Sequence, residues 1–273
     1  GLHLAFIAAG IKKNDVVLLP VINFVAASNL LLNIGAKIFF CDVEKNSGLI
    51  SSRTIQECIK KKKLKKIKAV VNSHLAGDVR NIKEIYTLKK KIGFILIDDA
   101  CHALGTIYKY NNKIFKVGSC KHSDLSIFST HPLKTITTGE GGFITTNKKV
   151  YFEKIEKIKS HGVVRKKFHF NYDVIYPGYN YRMSDINASL GISQFTQIEK
   201  FIKYRNKIAN LYFSKFSRAK EITILDKGSN FRQSYHLLRI QINKFNKKKS
   251  EKLIKYMRRN KIFLQKHYIP IYK

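Results

Sequence analysis

At 273 residues, with 44% apolar and 12% aromatic side chains, the chain is long enough to bury a substantial core and has the composition of an ordinary globular protein. No stretch of about 18 uncharged apolar residues occurs, so no spanning helix and no membrane partner is expected. The formal charge of +34 raises nucleic-acid binding. Yet only ten of the 52 cations are Arg. The lysines are scattered among Asn and Ile, and the densest run, Lys60 to Lys66, sits between a helix pattern and a strand, where a solvated face is the default. No nucleic-acid partner is therefore expected, while a general attraction for anionic small molecules such as nucleotide diphosphates remains.

Taken in order, the chain opens on Gly1-Leu2-His3-Leu4-Ala5, which reads as a helix entered midway and lacks the basic segment of a signal peptide. This start, without Met, leads to the expectation of a piece of a longer product. From residue 15 the pattern alternates between short apolar runs and helix-length segments. Strands are predicted over 15–20, 37–43, 68–72 and 93–98, and helices over 24–34, 52–61 and 81–90. Continuous apolar runs of this kind suit a mostly parallel sheet covered on both faces, whose ligands lie at the carboxyl ends of its strands. The segments after four strand ends, 20–24, 72–77, 98–102 and 129–134, are thus expected to converge on one crevice. A strand over 143–146 and a helix ending near 160–162 follow. Residues up to 181 read as a long loop. Ser184 and Asp185 cap a long helix that runs through 213 with a break near Gly191. Beyond 216 come strands at 222–224 and 236–242, a helix over 247–259 and a strand at 262–265. The organisation expected is a large domain over 1–183, a connecting helix over 184–215 and a partial small α/β domain over 216–273. Four widely spaced cysteines, Cys41, Cys58, Cys101 and Cys120, form no C-x-x-C pair and suit free thiols in a reducing cytoplasm better than a metal site.

One lysine differs from the rest. Lys134 has no other Lys or Arg within ten residues on either side and lies among Ser, Thr, His and Gly. Desolvation favours the neutral amine, the form that attacks a carbonyl to give a Schiff base. The glycines after it, Gly139, Gly141 and Gly142, leave room for a flat ligand or a tight turn. A pyridoxal phosphate ring beside such a lysine needs a carboxylate at its ring nitrogen. Asp99 ends the most apolar strand, and alternation points its neighbour Asp98 to the other side. Phe24 offers an aromatic face after a strand end, and Ser129 a hydroxyl for a phosphate. Each also has an ordinary structural role available: core packing for Phe24, a helix cap for Asp99, a strand-end hydrogen bond for Ser129.

Four segments together resemble the DegT/DnrJ/EryC1/StrS family of sugar aminotransferases. They are Asp99-Ala100-Cys101-His102-Ala103-Leu104-Gly105; Phe128-Ser129-Thr130-His131-Pro132-Leu133-Lys134 with Gly139-Glu140-Gly141-Gly142; Ser160-His161-Gly162; and Gly178-Tyr179-Asn180-Tyr181-Arg182-Met183-Ser184-Asp185. The resemblance spans nearly the whole chain. It implies the fold type I architecture of pyridoxal 5′-phosphate (PLP) dependent transferases. It also implies Lys134 as Schiff-base lysine and proton carrier, Asp99 at the pyridinium nitrogen and His102 near the cofactor's 3-hydroxyl. Phe24 would stack on the ring and Ser129 bind the phosphate. Asn180 would reach the phosphate of a neighbouring subunit, making a homodimer with a shared active site. His74 and His161 fall in segments that face the substrate pocket in relatives.

The run from Pro20 to Asn29, His102, and His267-Tyr268-Ile269-Pro270-Ile271-Tyr272 look most like the branch serving pseudaminic acid synthesis. That branch moves an amino group from glutamate to C4 of a UDP-linked 4-keto-6-deoxy-N-acetyl hexose, for surface glycan or flagellin sugars. The chain departs from the family at its first residues, where the Thr and amides that cradle the phosphate in relatives are missing, at Lys273, which falls inside the small domain, and in a longer loop over 108–121. These departures keep two other readings open: another nucleotide-sugar aminotransferase of the same family, and an inactive fragment acting only as a basic binding protein. A relative that dehydrates at C3 would carry His in place of Lys134.

Overall fold

A computed structural model describes residues 1–166, 171–225, 232–244 and 246–271. In chain order its elements are α1 (Leu2–Ala8), β1 (Val16–Pro20), α2 (Ala26–Ile34), β2 (Lys37–Cys41), α3 (Ser52–Lys61), β3 (Ala69–Ser73), α4 (Ile82–Ile92), β4 (Ile95–Asp99), β5 (Ile107–Tyr110), β6 (Lys113–Lys116), β7 (Leu125–Ser129), β8 (Gly142–Thr145), α5 (Lys149–Ile158), β9 (Val163–Arg165), β10 (Tyr172–Val174), α6 (Asp185–Thr196), α7 (Ile198–Lys215), β11 (Ile222–Ile224), β12 (Ile240–Ile242) and α8 (Lys247–Arg259). Six strands form one sheet in the order β2-β1-β3-β4-β7-β8. All neighbours are parallel except β8, which is antiparallel to β7.

The apolar strands have two faces to satisfy. Val17, Leu19, Val71 and Ile97 pack with Leu4 and Phe6 of α1, Leu31 of α2 and Ile158 of α5. Leu18, Val70 and Leu96 turn to the opposite face, against Ile55 of α3 and Ile85 and Leu88 of α4. This two-sided cover explains why the strands read as unbroken apolar runs, and it is the α/β architecture expected from the sequence. Helix starts follow local chemistry. Ser51 accepts the Thr54 amide on its hydroxyl (3.1 Å) while Thr54 Oγ1 accepts the Ser51 amide (2.9 Å), a reciprocal cap on α3. Ser184 caps α6 by accepting the Asn187 amide at 3.2 Å. The lysines after α3 are exposed to solvent.

Several expectations need correction. The helix after Ser184 breaks at Gln197 and not at Gly191. A Cβ on Gly191 would come 2.7 Å from Thr138 Cγ2, so this glycine lets α6 approach the Lys134 loop. The turn at Gln197 lets Ile198 and Ile202 of α7 bury against Ile136 and Leu104. The stretch before Tyr181 contains a small antiparallel pair, β9 with β10. The longer loop at 108–121 holds another, β5 with β6, whose Tyr108 hydroxyl meets His122 Nδ1 at 2.7 Å. Rings of Tyr86, Tyr110 and Phe115 also lie against that imidazole, so the insertion is packed rather than loose. The strand expected at 236–242 narrows to β12, which pairs with β11 alone. Residues 262–265 form no strand: Ile262 and Phe263 are exposed there and find no partner strand among the described residues. Tyr272, the end of the run noted above, and Lys273 lie outside the described residues.

Candidate active site

The four segments that follow strand ends do converge. Asn23 and Phe24 after β1, His74 after β3, Cys101 and His102 after β4, and His131 and Lys134 after β7 line one cavity of about 1440 Å³, together with the strand-end residues Ser73, Asp99 and Ser129. Parallel strands deliver their carboxyl ends to one edge, which is why residues far apart in sequence meet here. The cavity is closed on another side by His236, His267 and Tyr268 from the C-terminal part of the chain.

At the end of β4, strand alternation separates two carboxylates. Asp98 turns into the protein, 3.4 Å from both Asn72 Nδ2 and Ser126 Oγ. Its Oδ2 also lies 3.3 Å from His74 Nε2, without the alignment of a hydrogen bond. Asp99 faces the cavity at 9% exposure, and its Oδ1 accepts the Cys101 amide at 3.2 Å. Burial, and then the Asp99 charge, push the Cys101 thiol well above its usual range. Ser129 Oγ accepts the His131 amide at 3.4 Å, and its own proton has no acceptor among the described residues. Lys134 is half-buried, at the turn closed by its amide to His131 O (2.9 Å). Phe24 is 55% exposed, a ring presented to the cavity rather than to the core.

Imidazoles crowd the same space. His102 is 7% exposed, with its ring centroid 4.2 Å from that of His236. Burial, then the neighbouring His236, then the Lys134 ammonium hold His102 down to about 2. Burial and Lys134 likewise hold His236 to about 3 and lower His267. At neutral pH His102 and His236 are therefore neutral imidazoles on the cavity wall that also carries Lys134 and Asp99. Four buried polar atoms on cavity-lining residues, Asn23 Nδ2, His74 Nδ1, His74 Nε2 and His236 Nδ1, lack a hydrogen-bond partner among the described residues. Buried polar atoms are rarely left so, and orphans around a cavity mark where a polar ligand completes the structure. An amine, a carboxylate, an open aromatic face and a hydroxyl with a free proton around one space fit pyridoxal phosphate by donor set and by room.

Of the residues singled out in the sequence, Lys134, Asp99, His102, Phe24, Ser129 and His74 meet at the cavity. His161 and Asn180 do not: both are exposed and outside its lining, with Asn180 bridged to Ser160. Its neighbours Tyr181, Arg182, Met183 and Ser184 line the cavity instead. Sequence reading did not single out Asn23, Cys101, His236 or His267 as site residues. Asn23 and Cys101 sit beside Phe24 and His102, so position after a strand end is the signal that marks them. His236 follows no predicted strand, and nothing local marks it.

The DegT/DnrJ/EryC1/StrS aminotransferase family profile matches residues 1–273, and the chain belongs to that family. It is a PLP-dependent nucleotide-sugar aminotransferase of fold type I. Among its relatives, the UDP-4-amino-4,6-dideoxy-N-acetyl-beta-L-altrosamine transaminase of Campylobacter jejuni is 36% identical over 272 residues, covering 100% of this chain and 70% of the relative. The GDP-perosamine synthase of Vibrio cholerae is 32% identical over 277 residues, covering 100% of this chain and 72% of the synthase. Among solved structures, Helicobacter pylori PseC, an aminotransferase involved in the biosynthesis of pseudoaminic acid, superposes with a TM-score of 0.88 at 29% identity, over 99% of this chain and 71% of PseC.

Proposed function

We propose that the protein transfers an amino group from glutamate to C4 of a UDP-linked 4-keto-6-deoxy-N-acetyl hexose, a step toward a pseudaminic-acid type sugar for surface glycans or flagellin. The observation that carries the catalytic part is the placing of Lys134 and Asp99 on one cavity, from the adjacent strands β7 and β4. The likeness to the Campylobacter and Helicobacter proteins supports the choice of sugar.

In this reading the Lys134 amine is the nucleophile that holds the cofactor and then the base that carries a proton to and from the substrate carbon. Bound there, pyridoxal phosphate supplies the electron sink that makes that proton transfer feasible. Asp99 would hold the proton on the ring nitrogen, Phe24 would cover the ring face and Ser129 would donate its free O–H to the phosphate. Burial keeps His102 a neutral hydrogen-bonding group beside the reacting atoms, and His74 lines the same space. His161 and Asn180 are assigned to a second copy's site.

The same geometry supports a homodimer. Asn180 lies outside its own cavity. On α6, no residue is buried and Ile186, Ile192 and Phe195 are 84%, 69% and 56% exposed. Tyr172, Val174 and Ile175 of the neighbouring hairpin are exposed as well. An apolar surface of this extent is what a second copy would cover. Residues 1–183 are read as the cofactor domain, 184–215 as the connector and 216–273 as part of a small domain, which fits the separate β11–β12 pair. Four free thiols suit the reducing cytoplasm.

The test is a coupled assay with glutamate and two acceptors, the UDP-linked 4-keto sugar and the GDP-linked 4-keto sugar suggested by the perosamine synthase likeness. Formation of 2-oxoglutarate with the UDP sugar is expected. Turnover of the GDP sugar alone would move the substrate to the other branch. Turnover of neither by purified, cofactor-loaded protein would overturn the reading.

A further inference from the structure

One wall of the cavity fixes the direction of a hydrogen-bond chain. The Ala76 amide, which can only donate, lies 3.3 Å from His102 Nδ1. A neutral imidazole carries one N–H, so Nδ1 is the acceptor and the proton sits on Nε2. Burial and the neighbouring His236 keep the ring neutral. Nε2 lies 3.4 Å from the Tyr268 hydroxyl, and with its proton there it must donate to that oxygen. The Tyr268 O–H proton is thereby turned away from His102, and no other partner for it exists among the described residues. Tyr268 lines the cavity. Its ring lies by Phe24 (centroids 5.8 Å apart) and His102 (6.5 Å), contacts that fix where the hydroxyl oxygen sits. On the far side of His102, His236 Nδ1 is also without a partner.

We propose that Tyr268 is a substrate-positioning residue: its hydroxyl, oriented by the Ala76–His102 chain, donates a hydrogen bond to an acceptor oxygen of the substrate bound in the cavity. This rests on the aminotransferase reading above and deepens it. The shared chemistry is an oxygen with a free lone pair, which both substrates of the proposed reaction carry: the sugar as carbonyl or hydroxyl, the amino donor as carboxylate. Within this chain His102 acts through Tyr268. A side chain at 102 that cannot accept from Ala76 and donate onward frees the phenol to turn its proton back.

The experiment follows each half-reaction separately by absorbance on cofactor-loaded protein, glutamate in one arm and the UDP-linked 4-keto sugar in the other, with Tyr268→Phe, His102→Leu and His102→Gln compared with the natural protein. One hydrogen bond of ordinary strength is worth about a tenfold change. Tyr268→Phe is expected to lower kcat/KM about tenfold in one arm, with the loss in KM rather than kcat, because a bond made in the bound state persists through the reaction. The arm affected identifies the oxygen's source. His102→Leu is expected to match it, the double variant to be no worse than either, and His102→Gln, whose amide can accept and donate in the same order, to recover most of the loss. Thermal midpoints and cofactor spectra separate folding and cofactor effects from this one. If Tyr268→Phe leaves KM unchanged in both arms, the proposal is overturned while the aminotransferase reading stands. If the natural protein reacts in neither arm, both are overturned.

Discussion

Ser129 and Gly142 are direct partners across β7 and β8, which closes the segment carrying Lys134 into a loop anchored at both ends on the sheet. The loop is tied again inside that closure: the Thr130 amide donates to Gly141 O (3.0 Å) and the Thr138 amide to Thr130 O (2.9 Å). A Cβ on Gly142 would run into the Phe128 carbonyl oxygen. Gly142 thus serves the backbone pairing that aims the lysine, not a ligand. Gly142→Ala is expected to cost about 1–3 kcal/mol by forcing the strands apart, and to weaken cofactor binding as the loop loosens. Urea denaturation and a pyridoxal phosphate titration check both, and an unchanged midpoint with unchanged affinity would contradict this role.

The buried imidazoles make the cofactor-free protein sensitive to mild acid. His102 and His236 stay neutral when folded, held to about 2 and about 3, whereas in the unfolded chain they titrate at the ordinary value of 6.5. Below that value the unfolded state binds protons that the folded state refuses, so stability falls as pH falls. The slope is about 1.4 kcal/mol per group for each pH unit below 6.5. Between pH 6.5 and 5, above the usual carboxylate range, the two imidazoles together are expected to dominate the loss. Urea midpoints across that window measure it, and His102→Gln should lower the slope by about one group's share, about 1.4 kcal/mol per pH unit. The rest comes from His236, with smaller parts from His3, His122 and His267. A flat profile would contradict the burial of these rings.

Asp99→Asn keeps the shape of the site but removes the negative charge proposed to hold a proton on the cofactor ring. The expected result is cofactor still bound, with kcat lower by at least about 100-fold, since the electron sink depends on that charge. Stopped-flow absorbance of the glutamate half-reaction reads this. A loss below threefold would mean that the ring nitrogen meets another group.

Arg239 ties the C-terminal part of the chain to the large sheet. Its Nη2 lies 3.0 Å from Oδ2 of Asp78, which is fully buried, and its Nη1 donates to the Ser47 carbonyl. Arg80 also reaches that carboxylate, at 2.7 Å, but is itself part exposed. Arg239→Met removes one of these cations and leaves the carboxylate buried beside the other, so a loss of about 3 kcal/mol is expected. Asp78→Asn with Arg239→Met should recover part of it. An additive double variant in denaturation would contradict coupling through this carboxylate.

Much of this site could be read from the sequence because parallel sheets deliver strand ends to one edge. Once the apolar runs ending near Pro20, Asn72, Asp98 and Ser129 were recognised, the meeting of Phe24, His74, Asp99 and Lys134 followed from topology alone. The assignment of Asp99 over Asp98 needed only the period of a strand. What escaped was contact made through the tertiary fold by segments with no regular pattern. His236 precedes β12 and reaches the cavity by packing on His102, 134 residues away in sequence, and no local spacing encodes that. Gly191 looked like a helix break because isolated glycines usually weaken helices, whereas here the missing side chain admits Thr138. The strand expected at 262–265 had the composition of a strand but no partner among the described residues, and propensity without pairing does not make a sheet.

The central claim is that Lys134 is the residue that holds the cofactor covalently. The decisive measurement is the visible spectrum of the purified protein with added pyridoxal phosphate, followed by borohydride reduction and peptide mapping, for the natural protein and for Lys134→Ala. An absorption band of lysine-bound cofactor, with the reduced label on the peptide containing Lys134 and both lost in the variant, is the predicted result. A band that survives Lys134→Ala, or a label on another lysine, would contradict it.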